Sequence, residues 1–312
     1  MGPTERFDPR RETPIETLMK PAPFHYHAPK TVDEAVALLA EVAPADGRVL
    51  AGGQSLVPTM AFRLARPTHL VDINGIAELD RIAVADGRLA IGACVRHAAF
   101  YRPVAEGPLG RLLASVVRHI AHHPIRTRGT FCGSLVNADP ASEWCLVAAT
   151  LGAEMVAQSR RGRRVIAAAD FFAGIMTTEL EEDELLVEAR LPLLPADTQF
   201  GFYEFSRRGG DFAIAMALVT YRLADGRMVE PRLGVGGAEP KPRRMTQAER
   251  MLERQKPGPD AFARAAEAAA EAVEPMDDSN YSADYRRDLV RTVTRRALDH
   301  AAREQIAGKA ET

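Results

Sequence analysis

Two adjacent glycines, Gly52 and Gly53, stand in the run Ala51-Gly52-Gly53-Gln54-Ser55-Leu56, directly after the apolar stretch Val49-Leu50-Ala51. The residues beyond Leu56 have helical spacing, so a strand must turn into a helix through a glycine pair. Glycine permits positive φ and removes the Cβ that would keep a ligand from the main chain. Successive N–H groups at such a turn, with a helix N-terminus behind them, form a cradle suited to phosphate oxygens. The run has neither the GxGxxG spacing nor the lysine of a P-loop, so it encodes no Rossmann or Walker site. Taken alone, it fits a plain tight turn equally well.

A second glycine-interrupted run changes that balance. Arg126-Thr127-Arg128-Gly129-Thr130-Phe131-Cys132-Gly133-Ser134 carries hydroxyls on both sides of its glycines and leads through Asn137-Ala138-Asp139-Pro140 to Glu143. Two loops of this kind, each beside apolar strands, point to one diphosphate ligand held from both sides. Two unrelated structural turns are the alternative.

The chain is long enough for two cores: 312 residues against roughly 150 per domain. No apolar run approaches the ~18 residues of a membrane span. The net charge of −2 lacks the basic excess of a dedicated nucleic-acid binder. Cys94, Cys132 and Cys145 have no CxxC spacing, so neither a disulfide framework nor a zinc or iron–sulfur site is encoded. Residues 1–18 are polar, with no hydrophobic stretch behind Arg10-Arg11; a disordered tail or a docking arm is expected there, and a cytoplasmic protein.

Periodicity predicts α+β structure in both halves. Thr31 and Glu34 form a capping box ahead of Val32, Val36 and Leu39. Strands are expected at 49–51, 70–73, 88–94 and 184–191, with a hairpin over 155–166 turning at Arg161-Gly162. A helix is expected over 109–122, a loop over 124–139, then a short helix with Asp139 as N-cap and Pro140 at its first position. The pattern changes at Pro195–Thr198. Beyond it, 200–207, 213–223 and 228–235 read as three strands, the last two joined at Asp225-Gly226. Helices at 260–274 and after Ser282 complete the chain. The expected organisation is a tail over 1–18, a first domain over 19–195, a second over 198–303 and a frayed end over 304–312.

The run AGGQSLVPTMAFRLARPTHLVDIN resembles the AGGHSL-type loop in the flavoprotein subunits of molybdenum hydroxylases. These are relatives of the medium subunit of carbon monoxide dehydrogenase and of the flavin domain of xanthine dehydrogenase. HIAHHPIRTRGTFCGSLVNADPASE resembles the second loop of that family, IGHxxIRNRGTxGGSxAHADPAAE. DFFAGIMTTELEEDELLVEARLP, FSRRGGDFAIAMALV and SADYRRDLVRTVTRRAL are similar in turn, so the likeness runs from about Lys20 to Ala301.

The resemblance implies a two-lobed FAD-binding domain (PCMH type) and a smaller C-terminal domain with an antiparallel three-stranded sheet and helices. Ala51, Gly52, Gly53, Gln54, Ser55 and Leu56, with Thr130, Cys132, Gly133 and Ser134, would wrap the FAD diphosphate and ribityl chain. Asp139 and Glu143 would add polar contacts, and Leu186 would pack near the flavin. Cys132, Gln54 and Asn137 depart from the family's Gly, His and His, and Glu204 stands where some members carry a flavin-facing Lys. The implied role is electron transfer. A molybdenum cofactor in a large subunit and [2Fe–2S] clusters in a small subunit would feed this FAD, which passes electrons to an external acceptor. No catalytic or metal-binding residue is assigned. A self-sufficient FAD-dependent oxidoreductase and a cofactor-free scaffold are the alternatives.

The remaining clusters read as structural. His119, His122 and His123 lack further ligands at motif spacing, and His25-Tyr26-His27 fits a strand edge. Arg160, Arg161, Arg163 and Arg164 fit a solvated hairpin tip, and Trp144 a core position.

Overall fold

A computed structural model of the protein describes the main chain of residues 20–310 and the side chains of residues 20–303. The expected tail over 1–18 lies outside the described residues, as do the side chains of the expected frayed end.

Three larger sheets and a two-stranded ribbon, Phe172–Gly174 with Thr177–Thr178, organise the described residues. The first is small and parallel, with His25–His27 and Gly47–Leu50 flanking His69–Asp72. His25–His27 is indeed an edge strand. The capping box forms: Thr31 Oγ1 accepts from Glu34 N–H at 3.1 Å, and the Glu34 carboxylate accepts from Lys30 N–H at 2.7 Å. The helix it starts, Val32–Val42, packs its buried Val32, Val36 and Leu39 between this sheet and the next.

The second sheet has five antiparallel strands in the order Ile82–Ala85, Arg88–Gly92, Leu185–Pro192, Glu154–Ser159, Gly162–Ala167. A bulge between Leu186 and Glu188 turns the Val187 carbonyl out of the ladder, where it accepts from Ala93 N–H at 3.0 Å. The expected hairpin over 155–166 is present.

The third sheet begins with Gln199–Phe205, Ala215–Ala224 and Arg227–Gly236, all antiparallel. Asp225 and Gly226 both take positive φ, 52° and 71°, as a two-residue hairpin between right-twisted strands requires. The expected three-stranded sheet gains a fourth strand, Arg243–Arg244, along its edge. Two residues between Pro242 and Met245 are too short to show a period of two, which is why the pattern omitted them.

The central strand of this sheet is apolar on both faces. Met216 and Leu218 join the core shared with the five-stranded sheet, whereas Ala215, Ala217 and Val219 join a second core under the helices Thr246–Leu252, Pro259–Ala272 and Ala283–Ala310. A sheet covered on both faces loses the alternation of a half-exposed one.

Between residues 107 and 151 the helices differ from expectation. The helix expected over 109–122 spans Gly107–Val116. The expected loop over 124–139 contains two short helices, His123–Arg126 and Phe131–Asn137. Asp139 does not cap the next helix, which spans Glu143–Leu151 with Ser142 at the N-cap. Asp139 instead closes an Asx turn, its Oδ1 accepting from Ala141 N–H at 2.9 Å. Among the described residues, no helix is long and apolar enough to cross a membrane.

Gly201 shows how tightly the last helix seats on its sheet. A Cβ there would stand 1.9 Å from the Ala297 carbonyl oxygen and 2.6 Å from Ala301 N. Both are main-chain atoms of a long helix and cannot step aside singly. Gly201→Ala should therefore lower unfolding stability by about 1–3 kcal/mol. Chemical denaturation reads this, and an unchanged midpoint would mean that strand and helix are not in register as described.

Candidate functional site

The two glycine loops, far apart in sequence, touch. A Cβ on Gly52 would lie 2.5 Å from the Arg128 carbonyl oxygen and 2.6 Å from Gly129 Cα. Gly52 is thus required by close approach of the second loop, and Gly53 by its φ of 72°. Asn74 and Arg96 stitch the same junction. Asn74 Nδ2 donates to the Ala51 carbonyl at 2.7 Å; Arg96 donates to Asn74 Oδ1 at 2.6 Å and also to the Arg128 carbonyl.

The first loop runs from the strand Gly47–Leu50 into the helix Leu56–Ala61. Gln54 folds back, its side-chain amide donating to the Gly52 carbonyl at 3.1 Å. The N–H groups of Gly53, Gln54, Ser55 and Leu56 meet no acceptor among the described residues. Four neighbouring free donors make a cradle of positive partial charge.

The second run is a helix start rather than an open turn. Thr130 is the N-cap of Phe131–Asn137, its Oγ1 accepting from Gly133 N–H at 3.0 Å. A Cβ on Gly133 would sit 2.6 Å from that hydroxyl, so glycine is needed there for room and not for positive φ. Cys132 points away from the loop: its buried Sγ donates to the Ile91 carbonyl at 3.4 Å, and burial pushes its thiol pKa up. Leu186 is buried near the bulge of Leu185–Pro192, the strand whose Ala189 main chain reaches the Cys132 thiol.

Beneath the second loop lies an aromatic floor absent from the motif reading. Phe131 stacks obliquely on Trp144 at 4.9 Å and on Phe100 at 5.5 Å, which places Trp144 in the core as expected. The indole N–H of Trp144 donates to His97 Nδ1 at 3.0 Å. His97 N–H donates to the Gly129 carbonyl at 2.9 Å, and a Cβ on Gly129 would lie 2.5 Å from the His97 ring. Burial, helped by the Arg96 and Arg126 cations, lowers the His97 pKa to about 4 and keeps the ring neutral.

Asp139 and Glu143 lie beside this loop. Burial raises the Asp139 pKa, opposed by the Ala141 amide. Glu143 is buried, and burial together with the neighbouring Glu204 raises its carboxyl to about 8. Cys145, two residues on, donates to the Ser134 carbonyl at 3.3 Å.

Of the residues missed by sequence reasoning, Asn74 had one usable signal, since Asn-Gly after an apolar strand marks a turn. Arg96 and His97 had none. His119, His122 and His123 do not converge. His119 stands edge-on to Phe202, His122 abuts Gly210 and His123 stacks on Tyr101. Among the described residues, no group of three or more His, Cys, Asp or Glu is arranged to hold a metal ion. The arginine hairpin is paired locally, with Arg161 forked on Asp183 and Arg164 on Glu184.

Comparison with known proteins gives the same outline from other data. Residues 22–194 match the family model described as the FAD binding domain in molybdopterin dehydrogenase. Residues 200–301 match the CO dehydrogenase flavoprotein C-terminal domain. The chain is 37% identical over 283 residues to the nicotine 6-hydroxylase medium subunit of Paenarthrobacter nicotinovorans, covering 91% of this chain and 99% of the relative. Among solved structures, carbon monoxide dehydrogenase from Hydrogenophaga pseudoflava superposes with a TM-score of 0.87 at 36% identity, covering 91% of this chain and 99% of that one. Quinoline 2-oxidoreductase from Pseudomonas putida 86 gives 0.85 at 37% identity, covering 92% and 99%.

The Glu143 carboxyl leads to a pH prediction. Its pKa in the fold lies above the ordinary value of 4.5, so its contribution to stability is whole below that pH and is lost as pH rises through about 8. Glu143→Gln cannot ionise. Thermal unfolding should show the variant gaining on the wild type as pH rises from about 5 to about 9. Parallel curves would show that Glu143 is ionised in the native protein.

Proposed function

We propose that this chain, which belongs to the family of FAD-binding medium subunits of molybdenum hydroxylases, holds FAD between its two glycine loops and relays electrons within a larger oxidoreductase. The observation that carries the placement is the contact of Gly52 with Gly129, which sets four free N–H groups beside the capped start of Phe131–Asn137. That arrangement of donors suits a diphosphate, and a side chain at Gly52 would push the two loops apart.

In this reading Ala51–Leu56 and Thr130, Cys132, Gly133 and Ser134 hold the diphosphate and ribityl chain. Asp139 and Glu143 supply polar contacts, and Leu186 packs near the ring. Residues 19–195 form the flavin-binding domain and 198–303 the C-terminal one. Bound FAD supplies the redox chemistry. The chain binds and orients it, and the neutral His97–Trp144 floor keeps water from the back of the second loop. The relatives are subunits of multi-subunit enzymes, as their names state. By analogy the partners here are a small subunit with [2Fe–2S] clusters and a large one with the molybdenum cofactor, assembled in the cytoplasm.

The full chain should release about one FAD on denaturation. Gly53→Asp should lose it, because the substitution adds a carboxylate beside a diphosphate and a Cβ at a φ of 72°. Release of FMN, or a variant that keeps FAD at unchanged affinity, would defeat the placement. Substrate oxidation should require the iron–sulfur and molybdenum subunits and depend on FAD in this one. Turnover of an organic substrate by the isolated chain would instead favour a self-sufficient oxidoreductase.

A further inference from the structure

The small parallel sheet ends where the first glycine loop begins. Its central strand, His69–Asp72, pairs Asp72 with Leu50, and Asn74 follows two residues on. The Asp72 carboxylate accepts three hydrogen bonds. Its Oδ1 accepts from Asn74 N–H at 2.9 Å and from Asn74 Nδ2 at 2.5 Å, and its Oδ2 accepts from the Tyr26 hydroxyl on the edge strand His25–His27. Asn74 Nδ2 also donates to the Ala51 carbonyl at 2.7 Å, and Asn74 Oδ1 accepts from Arg96 Nη2 at 2.6 Å. Arg96 Nη1 donates to the Arg128 carbonyl of the second loop. One asparagine side chain thus joins the two loops. The edge strand is gripped from its other face as well. His25 and His27 alternate with Tyr26, and both rings stack on His69 at 5.0 and 5.3 Å, with His27 Nε2 3.0 Å from His69 Nδ1.

An asparagine amide has a donor end and an acceptor end, and the way it points decides what it can hold, whereas an ionised carboxylate only accepts. Burial alone would raise the Asp72 carboxyl. The Tyr26 hydroxyl, the Asn74 amides and the Arg96 cation instead hold it below the ordinary carboxylate range, so it is ionised at neutral pH. Beside it Asn74 must present Nδ2, and Arg96 must meet Oδ1. The reverse orientation would set Oδ1 against the Asp72 carboxylate and the Ala51 carbonyl, three acceptors together, and Nδ2 against a guanidinium. Among the described residues, the Asp72 carboxylate has no hydrogen bond to either loop. It acts through Asn74.

We infer that Asp72 is a positioning residue for the first glycine loop: it orients the Asn74 amide that ties the Ala51 carbonyl, through Arg96, to the second loop, and Tyr26 braces it from the edge strand. The consequence for flavin affinity rests on the proposed FAD binding; the orientation of Asn74 does not. The Ala51 carbonyl lies just ahead of the Gly53, Gln54, Ser55 and Leu56 amides, which have no acceptor among the described residues. A loop fixed at that carbonyl holds those amides in place before an anion arrives. A loop freed there must order as the anion binds, and binding weakens.

The chain has three asparagines, Asn74, Asn137 and Asn280, so ¹⁵N-asparagine labelling of the full chain gives three side-chain amide pairs in an NMR spectrum, and Asn74→Ser identifies the one in question. With or without FAD, the Asn74 pair should stand downfield of the other two, because both its hydrogens lie on strong acceptors. Asp72→Asn should return it among them. FAD affinity, read by titration, should weaken about tenfold in Asp72→Asn and about threefold in Tyr26→Phe. At saturating FAD the ³¹P resonances of the diphosphate should move in Asp72→Asn, which a loss of stability alone would not produce. If Asp72→Asn fails to fold, Tyr26→Phe, which deletes one hydroxyl from an exposed ring, carries the same test. An Asn74 pair that is not downfield in wild type, or that neither variant moves, overturns the proposal at its root. A pair that moves while affinity and ³¹P shifts stay those of wild type overturns the positioning role and leaves a structural tie. A wild-type chain that shows the downfield pair but takes up no FAD defeats the flavin reading, and the effect on affinity with it, while upholding the orientation of Asn74.

Discussion

The helix Glu143–Leu151 is the element on which the rest of the structure depends. Eight of its nine residues are buried, so it has no solvent face. A helix apolar all round is stable only when other elements cover every side. Here the covering elements are the ones that matter for function. Trp144 lies under the second glycine loop, Cys145 holds the Ser134 carbonyl, and Thr150 meets Gly234 of the C-terminal sheet so closely that a Cβ would stand 1.9 Å from its hydroxyl. Arg232 bonds the Leu151 carbonyl and sets a cation at the negative end of the helix. The loop and the C-terminal sheet cannot shift independently while this helix stays packed.

That coupling explains where glycine is spent. Gly52, Gly129 and Gly234 each sit where another element comes closer than any side chain allows, and none of the three takes positive φ. Gly53 differs, since it turns the chain and frees the amides behind it. The first loop is therefore pinned on one side by backbone contact with the second and open on the other. The N–H groups of Gly53, Gln54, Ser55 and Leu56 have no acceptor among the described residues. A loop fixed in this way loses little conformational entropy when an anion binds, which is the advantage of a preformed site.

Much of this was legible in the sequence because it rests on local rules. Thr31 with Glu34 announces a helix start, Asp225-Gly226 a hairpin, and Gly52-Gly53 a strand-to-helix turn. Three runs over 200–207, 213–223 and 228–235, the last two joined at Asp225-Gly226, announced the strands of the C-terminal sheet. What was missed depends on contacts between distant segments. Asp139-Pro140 has the local form of a helix start, yet Asp139 bonds Ala141 and the helix begins later, at Glu143. Thr130 to Ser134 resembles the first loop by composition, but its threonine caps a helix and its glycine makes room for that cap. Arg96, His97 and Glu204 carry no periodic signal at all. Their importance comes from what the fold sets beside them.

The electrostatics of the junction follow from its dryness. His97 and Glu143 flank the second loop from either side, and burial drives both toward the uncharged form, with pKa values near 4 and near 8. The signs of their linkage are opposite. Neutral His97 favours the fold above its ordinary pKa and loses that contribution on acidification, whereas protonated Glu143 favours it below 4.5 and loses it toward alkaline pH. Between those limits neither group adds net charge beside the loops. An anion placed there would meet the dipoles of the main chain, with neither a repelling carboxylate at Glu143 nor an attracting imidazolium at His97. A dry site of this kind also magnifies any charge that does appear in it. At the seam between the helix region and the C-terminal sheet, His119 Nδ1 lies 3.6 Å from Glu204 Oε1, and its ring stands edge-on to Phe202.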